Sequence, residues 1–142
     1  TFWTERIGPA AAIKTLEVMK SLKSWEIITK VGKEISKGWK DLAQKYQLNI
    51  SISGIPSMAS FTIKSENWMK YKTYIVQEML KENILATNTI YVSIAHEQSD
   101  IEKYFSVLDK IMSVIALCEN DDLKIDKVLE GPICHNGFQR LN

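Results

Sequence analysis

Apolar residues recur at helical spacing over the first third of the chain and predict two consecutive helices. Pro9 suits the first turn of a helix, because its fixed φ matches helical geometry and its missing N–H is not needed there. The first helix is expected from Pro9, with apolar positions at Ile13, Leu16, Met19 and Leu22. The second is expected from Ser24, with an apolar stripe formed by Trp25, Ile28, Val31, Ile35, Trp39, Leu42 and Tyr46.

Two glycines interrupt the second predicted helix. Gly32 and Gly38 each cost roughly 1 kcal/mol relative to alanine in a helix interior. We interpret them as points where another helix approaches closely; a kink is the less favoured alternative.

The apolar spacing changes to every second residue at Asn49 and predicts strands. Ile50 and Ile52 belong to a first strand, and the turn at residues 54–56 separates it from a second strand at residues 59–63. A third strand is expected at residues 90–95, preceded by a short extended segment at residues 84–86.

Helical spacing returns twice in the remainder of the domain. One helix is expected from residues 65–67 to about Lys81, and Ser99 with Glu102 predicts a capping box at the start of another. The inner face of this last helix would carry Ile101, Tyr104, Phe105, Leu108, Met112 and Ile115. The element order predicts an α+β fold, a small, mostly antiparallel sheet with helices packed on one face.

The domain organisation follows from the change in composition after Glu119, where the sequence becomes polar and rich in turn residues. Residues 1–119 are expected to form one domain with its leading helix, and residues 120–142 a turn-rich C-terminal extension. The chain has 142 residues, enough for a single hydrophobic core. It begins with Thr1 and lacks an initiator methionine, so we expect it to be processed or to be part of a longer protein.

Composition narrows the classes of partner. Eighteen basic and 17 acidic residues give a net charge of +1, which argues against nucleic acid or an anionic membrane as the main partner. No apolar run approaches a membrane span and no leader peptide opens the chain. Two cysteines and two histidines are too few for a disulfide framework and make a poor zinc set, so a cytoplasmic protein without a metal is expected.

No short motif in the chain is sufficient for catalysis. Cys134 and His135 are sequence neighbours that are poorly placed to act as nucleophile and base, and a structural role is expected. His96 follows the third predicted strand and is either a hydrogen-bonded structural residue or part of a binding cleft. Thr1, Thr4 and Arg6 precede a helix N-terminus and together suit an anion, although an ordinary helix lead-in would have the same composition.

Two stretches resemble the C-terminal part of class III pyridoxal-phosphate aminotransferases, and in particular the glutamate-1-semialdehyde aminomutase group. Residues 1–17 (TFWTERIGPAAAIKTLE) are similar to the segment that opens this part. Residues 84–88 (ILATN), 91–97 (YVSIAHE) and 100–102 (DIE) are similar to a late strand, an Ala-His-Thr motif and an acidic helix start. The resemblance covers residues 1 to about 119 in the right order.

The resemblance implies the small C-terminal domain of a fold-type I enzyme that uses pyridoxal 5'-phosphate (PLP). The large domain with the Schiff-base lysine lies upstream in that family, so this chain would contain no catalytic residue and would be inactive alone. The family's phosphate-contacting threonine, donated across a dimer interface, falls at Thr1, with Thr4 the alternative. The usual Gly-Asn-Pro after that threonine is missing, and residues 4–6 stand in its place.

The resemblance further implies an aminotransferase or aminomutase acting on a small amino or keto substrate. Met58, Tyr91 and His96 are the candidate substrate-binding residues, chosen from their placement after a turn and around the third predicted strand. The implied partners are the large domain of the same parent chain and a second subunit in a homodimer. The alternative is a stand-alone α+β module that binds a ligand or regulates, without catalysis.

Overall fold

The computed structural model describes residues 4–135 and residue 137. Its helices are α1 (Ile7–Leu22), α2 (Ser24–Lys45), α3 (Trp68–Lys81) and α4 (Gln98–Glu119), and its strands are β1 (Ile50–Ile55) and β2 (Met58–Ile63). A single 3-10 turn follows at Ile125–Lys127. Among these residues, no helix combines the length and apolar character that a membrane crossing requires.

The predicted α+β fold is confirmed. β1 and β2 form an antiparallel hairpin in which Ile52 pairs with Phe61. Alternate residues of β2 are buried, which places Ala59, Phe61 and Ile63 against the helices. The ring of Phe61 lies 5.0 Å from that of Trp39 on α2, at the centre of the core. The remaining fully buried large side chains are Tyr71, Ile35, Ile63, Ile75, Met79, Leu108, Met112 and Ile115.

Both helical glycines lie at close approaches, as their positions predicted, although only one of them faces a helix. A Cβ on Gly38 would collide with the ring of Phe105 on α4. A Cβ on Gly32 would collide with the carbonyl oxygen of Pro56 in the hairpin turn. Gly32 therefore lets the backbone of the hairpin reach the surface of α2, where any side chain would hold the two apart.

The third predicted strand, at residues 90–95, is wrong. Ile90 N–H donates to the Ala59 carbonyl of β2 and Val92 N–H to the Ser57 carbonyl in the hairpin turn, but the one isolated bridge among the described residues, between Ser60 and Thr89, precedes the segment, and residues 94–95 lie in a turn. The side-chain amide of Asn88 donates to the Phe61 carbonyl at 3.0 Å, where a ladder would use a backbone N–H. Short polar side chains compete with the ladder in this way, which breaks the strand.

The predicted capping box at Ser99 and Glu102 is also wrong by two residues. Helix α4 begins at Gln98, and Glu97 is its N-cap residue in an extended conformation. The carboxylate of Asp100 accepts a hydrogen bond from Glu97 N–H at 3.2 Å. An acidic pair thus takes the place of the serine and glutamate, and it adds negative charge where the helix dipole favours it.

Residues after α4 pack on α3. Ile125 is buried in the core, and Gln77 of α3 both donates to the Val128 carbonyl at 2.9 Å and accepts from Glu130 N–H at 2.8 Å. The salt bridge from Lys81 to Glu130, at 2.6 Å, lies beside them. This part of the predicted extension is therefore held against α3 by side chains of that helix.

Candidate functional site

A cavity of about 310 Å³ lies between α2, the extended segment after α3, and the start of α4. Its apolar wall includes Ile35, Ile84, Ile90 and Ile101. Its polar side chains come from two parts of the chain. One is residues 87–91, between α3 and α4, and the other is residues 96–104, which include the first turns of α4. The polar side chains are Thr87, Thr89, Tyr91, His96, Asp100 and Tyr104.

The tautomer of His96 follows from its hydrogen bonds. Its Nδ1 lies 3.0 Å from the backbone N–H of Ser93, which can only donate, and 3.2 Å from the Ser93 hydroxyl. Nδ1 is therefore an acceptor, and the proton of the neutral ring is on Nε2. Nε2–H has no partner among the described residues and is left as a donor for a ligand in the cavity.

Tyr104 supplies a second polar group. Its hydroxyl accepts a hydrogen bond from the indole N–H of Trp39 at 2.9 Å. Burial raises the pKa of Tyr104, and the hydrogen bond from Trp39 lowers it by a smaller amount. The phenol is therefore neutral at physiological pH, and its proton remains free to donate to a ligand.

Asp100 adds an acceptor at the same end. One of its carboxylate oxygens, Oδ2, caps Glu97 N–H, while Oδ1 has no hydrogen bond within the described residues. The cavity thus combines the donors of His96 and Tyr104, a carboxylate oxygen of Asp100 and an apolar wall, a combination suited to a small zwitterion or keto acid.

The structure brings together two of the three predicted substrate-binding residues. Tyr91 and His96 both line the cavity. Met58 opens β2, is 47% exposed and does not line it. Sequence reasoning missed Thr87, Thr89, Asp100 and Tyr104; the polar cluster at residues 87–89 between two apolar runs was the available signal for the first two.

Of the two predicted phosphate contacts, Thr1 lies outside the described residues and Thr4 is exposed just before α1. The first amides of α1 are already occupied, because the Glu5 carboxylate accepts from Ile7 N–H at 2.7 Å and from Gly8 N–H at 2.8 Å. A carboxylate there repels an anion and takes the donors that a helix N-terminus would offer.

The described residues do not fit PLP by themselves. The backbone N–H donors at the start of α1 are already hydrogen-bonded to the Glu5 carboxylate. None of the residues that line the 310 Å³ cavity is a lysine. A cofactor would therefore have to be held by other parts of a longer protein, with at most the Thr4 hydroxyl contributed from this described region.

The cysteine–histidine neighbours do not form a catalytic arrangement in this structure. The Cys134 thiol donates to the Met69 carbonyl at 3.5 Å, and Cys134 N–H donates to the Thr73 hydroxyl at 2.9 Å. Cys134 is therefore anchored to α3. The other cysteine, Cys118, is buried, and this burial raises the pKa of its thiol.

Helix α1 is exposed over its whole length. None of its 16 residues is buried, although apolar side chains occupy many of its positions. The exposed fractions of Ile13 and Leu16 are 60% and 64%. Such a helix is marginal alone in water, and an exposed apolar surface of this kind is typical of a contact with another protein surface.

No protein-family model matches the chain, and no curated protein matches it. The solved structure of the PLP internal aldimine form of the FumI protein from Sphingopyxis sp. MTA144 is similar, with a TM-score of 0.72 at 20% sequence identity. The match covers 90% of this chain and 31% of FumI, so the chain spans about a third of that protein's length. At this identity the likeness establishes the fold.

Proposed function

We propose that this chain is the small C-terminal domain of a PLP-dependent enzyme of the class III aminotransferase type, similar to the glutamate-1-semialdehyde aminomutase group. The observation that carries the proposal is the likeness of nine-tenths of the chain to part of FumI, a protein solved with PLP. PLP, when bound, stabilises negative charge that develops on an amino-acid substrate. The lysine that holds it would belong to a large domain outside these residues.

The exposed helix α1 supports a partner domain. Its apolar side chains remain in contact with water in the isolated chain, and burying them against a large domain or a second subunit would favour assembly. In this proposal α1 joins the two domains, and the threonine at position 1 or 4 reaches the cofactor phosphate of the other subunit in a homodimer. Thr4 precedes α1 and is exposed, as such a contact would need.

The chain's own contribution is to bind and orient a small amino or keto substrate. His96 Nε2–H and the Tyr104 hydroxyl would donate to a carboxylate, and Asp100 Oδ1 would accept from an ammonium group. The apolar wall would exclude water from the same space. Tyr91 would contact the substrate at the rim of the cavity, whereas Met58, which is exposed and outside the cavity, would do so only when another domain closes over it.

The test is reductive trapping with borohydride in the longest form of the protein that its gene encodes, followed by peptide mapping. We expect a phosphopyridoxyl group on one lysine outside residues 1–142. The 142-residue chain, treated in the same way, is the control and should remain unmodified. A specific modification at a lysine of this chain, or no modification of the longer protein at saturating PLP, would contradict the proposal.

A stand-alone ligand-binding module is the second candidate, and the cavity favours it because this chain alone forms its walls. Calorimetry with a small 2-oxo acid such as pyruvate distinguishes the two. Tight binding by the 142-residue chain that is lost in His96→Ala, together with no trapped lysine in the longer protein, would support the module.

A further inference from the structure

One edge of the sheet is open. Phe61 of β2 donates its N–H to the Asn88 carbonyl at 3.0 Å, so its backbone groups point away from β1. Ile52 pairs with Phe61, and in an antiparallel ladder its N–H and carbonyl must then point away from β2. Ile50, two residues earlier, has the same orientation. These four backbone groups have no partner among the described residues.

A basic groove of about 270 Å³ runs beside this edge, between β1 and α2. Lys33, Lys37 and Lys40 line it from α2, where spacings of four and three residues place them on one face of the helix. Lys37 is 3.7 Å from Asp41, whereas Lys33 and Lys40 have no acidic partner in the part of the chain that the structure describes. Ile52 and Gly54 form the opposite wall.

We propose that the β1 edge binds an extended peptide segment with acidic side chains at alternate positions. Its backbone would bond to Ile50 and Ile52 as an added strand. Every second side chain of that strand would face α2, because Ile50 and Ile52 themselves face the helices. Carboxylates spaced about 7 Å apart match lysines roughly one helical turn apart on flexible stems.

Charge selects this occupant over a second copy of the chain. Residues 49–56 carry no charge that would oppose pairing with any strand. Two copies paired edge to edge would, however, bring the lysines of both grooves together, whereas an acidic strand neutralises them. Binding of the acidic peptide is independent of any cofactor and would occur in the 142-residue chain.

The probe is an eight-residue peptide, capped at both ends, in which glutamate alternates with threonine. Titration into the ¹⁵N-labelled chain should shift the amide resonances of Ile50 and Ile52 and slow their hydrogen exchange. The same peptide with lysine in place of glutamate should not bind. A glutamate peptide with N-methyl groups at alternate backbone positions, which removes its ladder donors, should also fail.

Protein variants test the charge contribution. Lys33→Gln with Lys40→Gln should weaken the peptide's affinity about tenfold, because two surface ion pairs are lost. Lys14→Gln with Lys20→Gln, on exposed α1, is the matched control and should leave the affinity unchanged. Equal binding of the N-methylated peptide, no binding at millimolar peptide, or dimerisation through β1 that excludes the peptide would each overturn the proposal.

Discussion

Tyr104 links the cavity to the core through its hydrogen bond from Trp39. In Tyr104→Phe the buried indole N–H loses its acceptor, so we expect the free energy of unfolding to fall by about 1–3 kcal/mol. Urea denaturation measures it. Tyr91→Phe, at a residue that is 72% exposed, is the control and should change stability by less than about 0.5 kcal/mol. Equal effects of the two would contradict the structural role of the bond.

Tyr71 makes the stability of the fold decrease at alkaline pH. Burial raises the pKa of Tyr71, and its hydrogen bond to Glu119, at 2.6 Å, raises it further. The unfolded chain loses this proton near pH 10, while the folded chain keeps it. Stability from this group is therefore complete below about pH 10 and is lost as the pH rises above it. Urea denaturation at pH 8–11 should show that loss, and a smaller loss in Tyr71→Phe; identical slopes would contradict the assignment.

At the scale of elements, Gly32 and Gly38 meet different neighbours. Gly32→Ala would push a Cβ into backbone, the Pro56 carbonyl, and we expect a cost of about 2–3 kcal/mol from overpacking. Gly38→Ala would meet the far end of the Phe105 ring, which can turn, and helix propensity returns about 1 kcal/mol. Thermal or urea unfolding should therefore rank Gly32→Ala as clearly the more destabilising, and the reverse order would contradict the structure.

Helix α1 makes a different prediction because it buries nothing. Ile13→Glu with Leu16→Glu should change the free energy of unfolding of the core by less than about 0.5 kcal/mol. The same change should reduce the binding of a hydrophobic dye and any self-association of the isolated chain. Ile35→Glu, at a buried position on α2, is the destabilising control. A large loss of stability in the α1 variant would show that α1 packs on its own domain.

At the scale of the whole molecule, the apolar periodicity of the sequence predicted those elements whose formation depends on burying one face. All four helices and the hairpin follow from apolar spacing, and Ser24 was correctly expected to begin α2. The missing third strand depends on a competition between the Asn88 side chain and a backbone N–H, which periodicity does not contain. The cavity joins residues spread from Ile84 to Tyr104 with Ile35 on α2, so only the fold reveals Asp100 and Tyr104 as its lining.

The exposed surface of α1 was likewise beyond prediction from the sequence. Its apolar residues have helical spacing, and a stripe such as Ile13 and Leu16 ordinarily indicates burial in the same domain. The structure buries Ile35 and Trp39 of the α2 stripe, leaves Trp25 at its start exposed, and leaves the whole stripe of α1 in water. The difference depends on which surfaces are available for packing, and a sequence read one helix at a time does not contain that information.

Ile125 extends the core beyond α4, and truncating its side chain should lower the stability of the whole domain. Ile125→Ala should lower the free energy of unfolding by about 2–4 kcal/mol, because it leaves a cavity against buried side chains. Ile133→Ala, at a position that is 43% exposed, is the matched control and should change it little. Urea denaturation of both variants decides, and equal losses would contradict the contribution of Ile125 to the core.

The packing of residues 125–134 on α3 also has a consequence during synthesis. A chain that emerges from the ribosome can form the hairpin and α1–α3 early, but the pocket that Ile125 fills stays open to water until that residue leaves the exit tunnel. The side chains of Gln77 and Thr73 likewise cannot form their hydrogen bonds to the backbone of residues 128–134 until those residues have emerged. The nascent domain therefore presents apolar surface for longest on α3, where a chaperone that screens new chains would bind first.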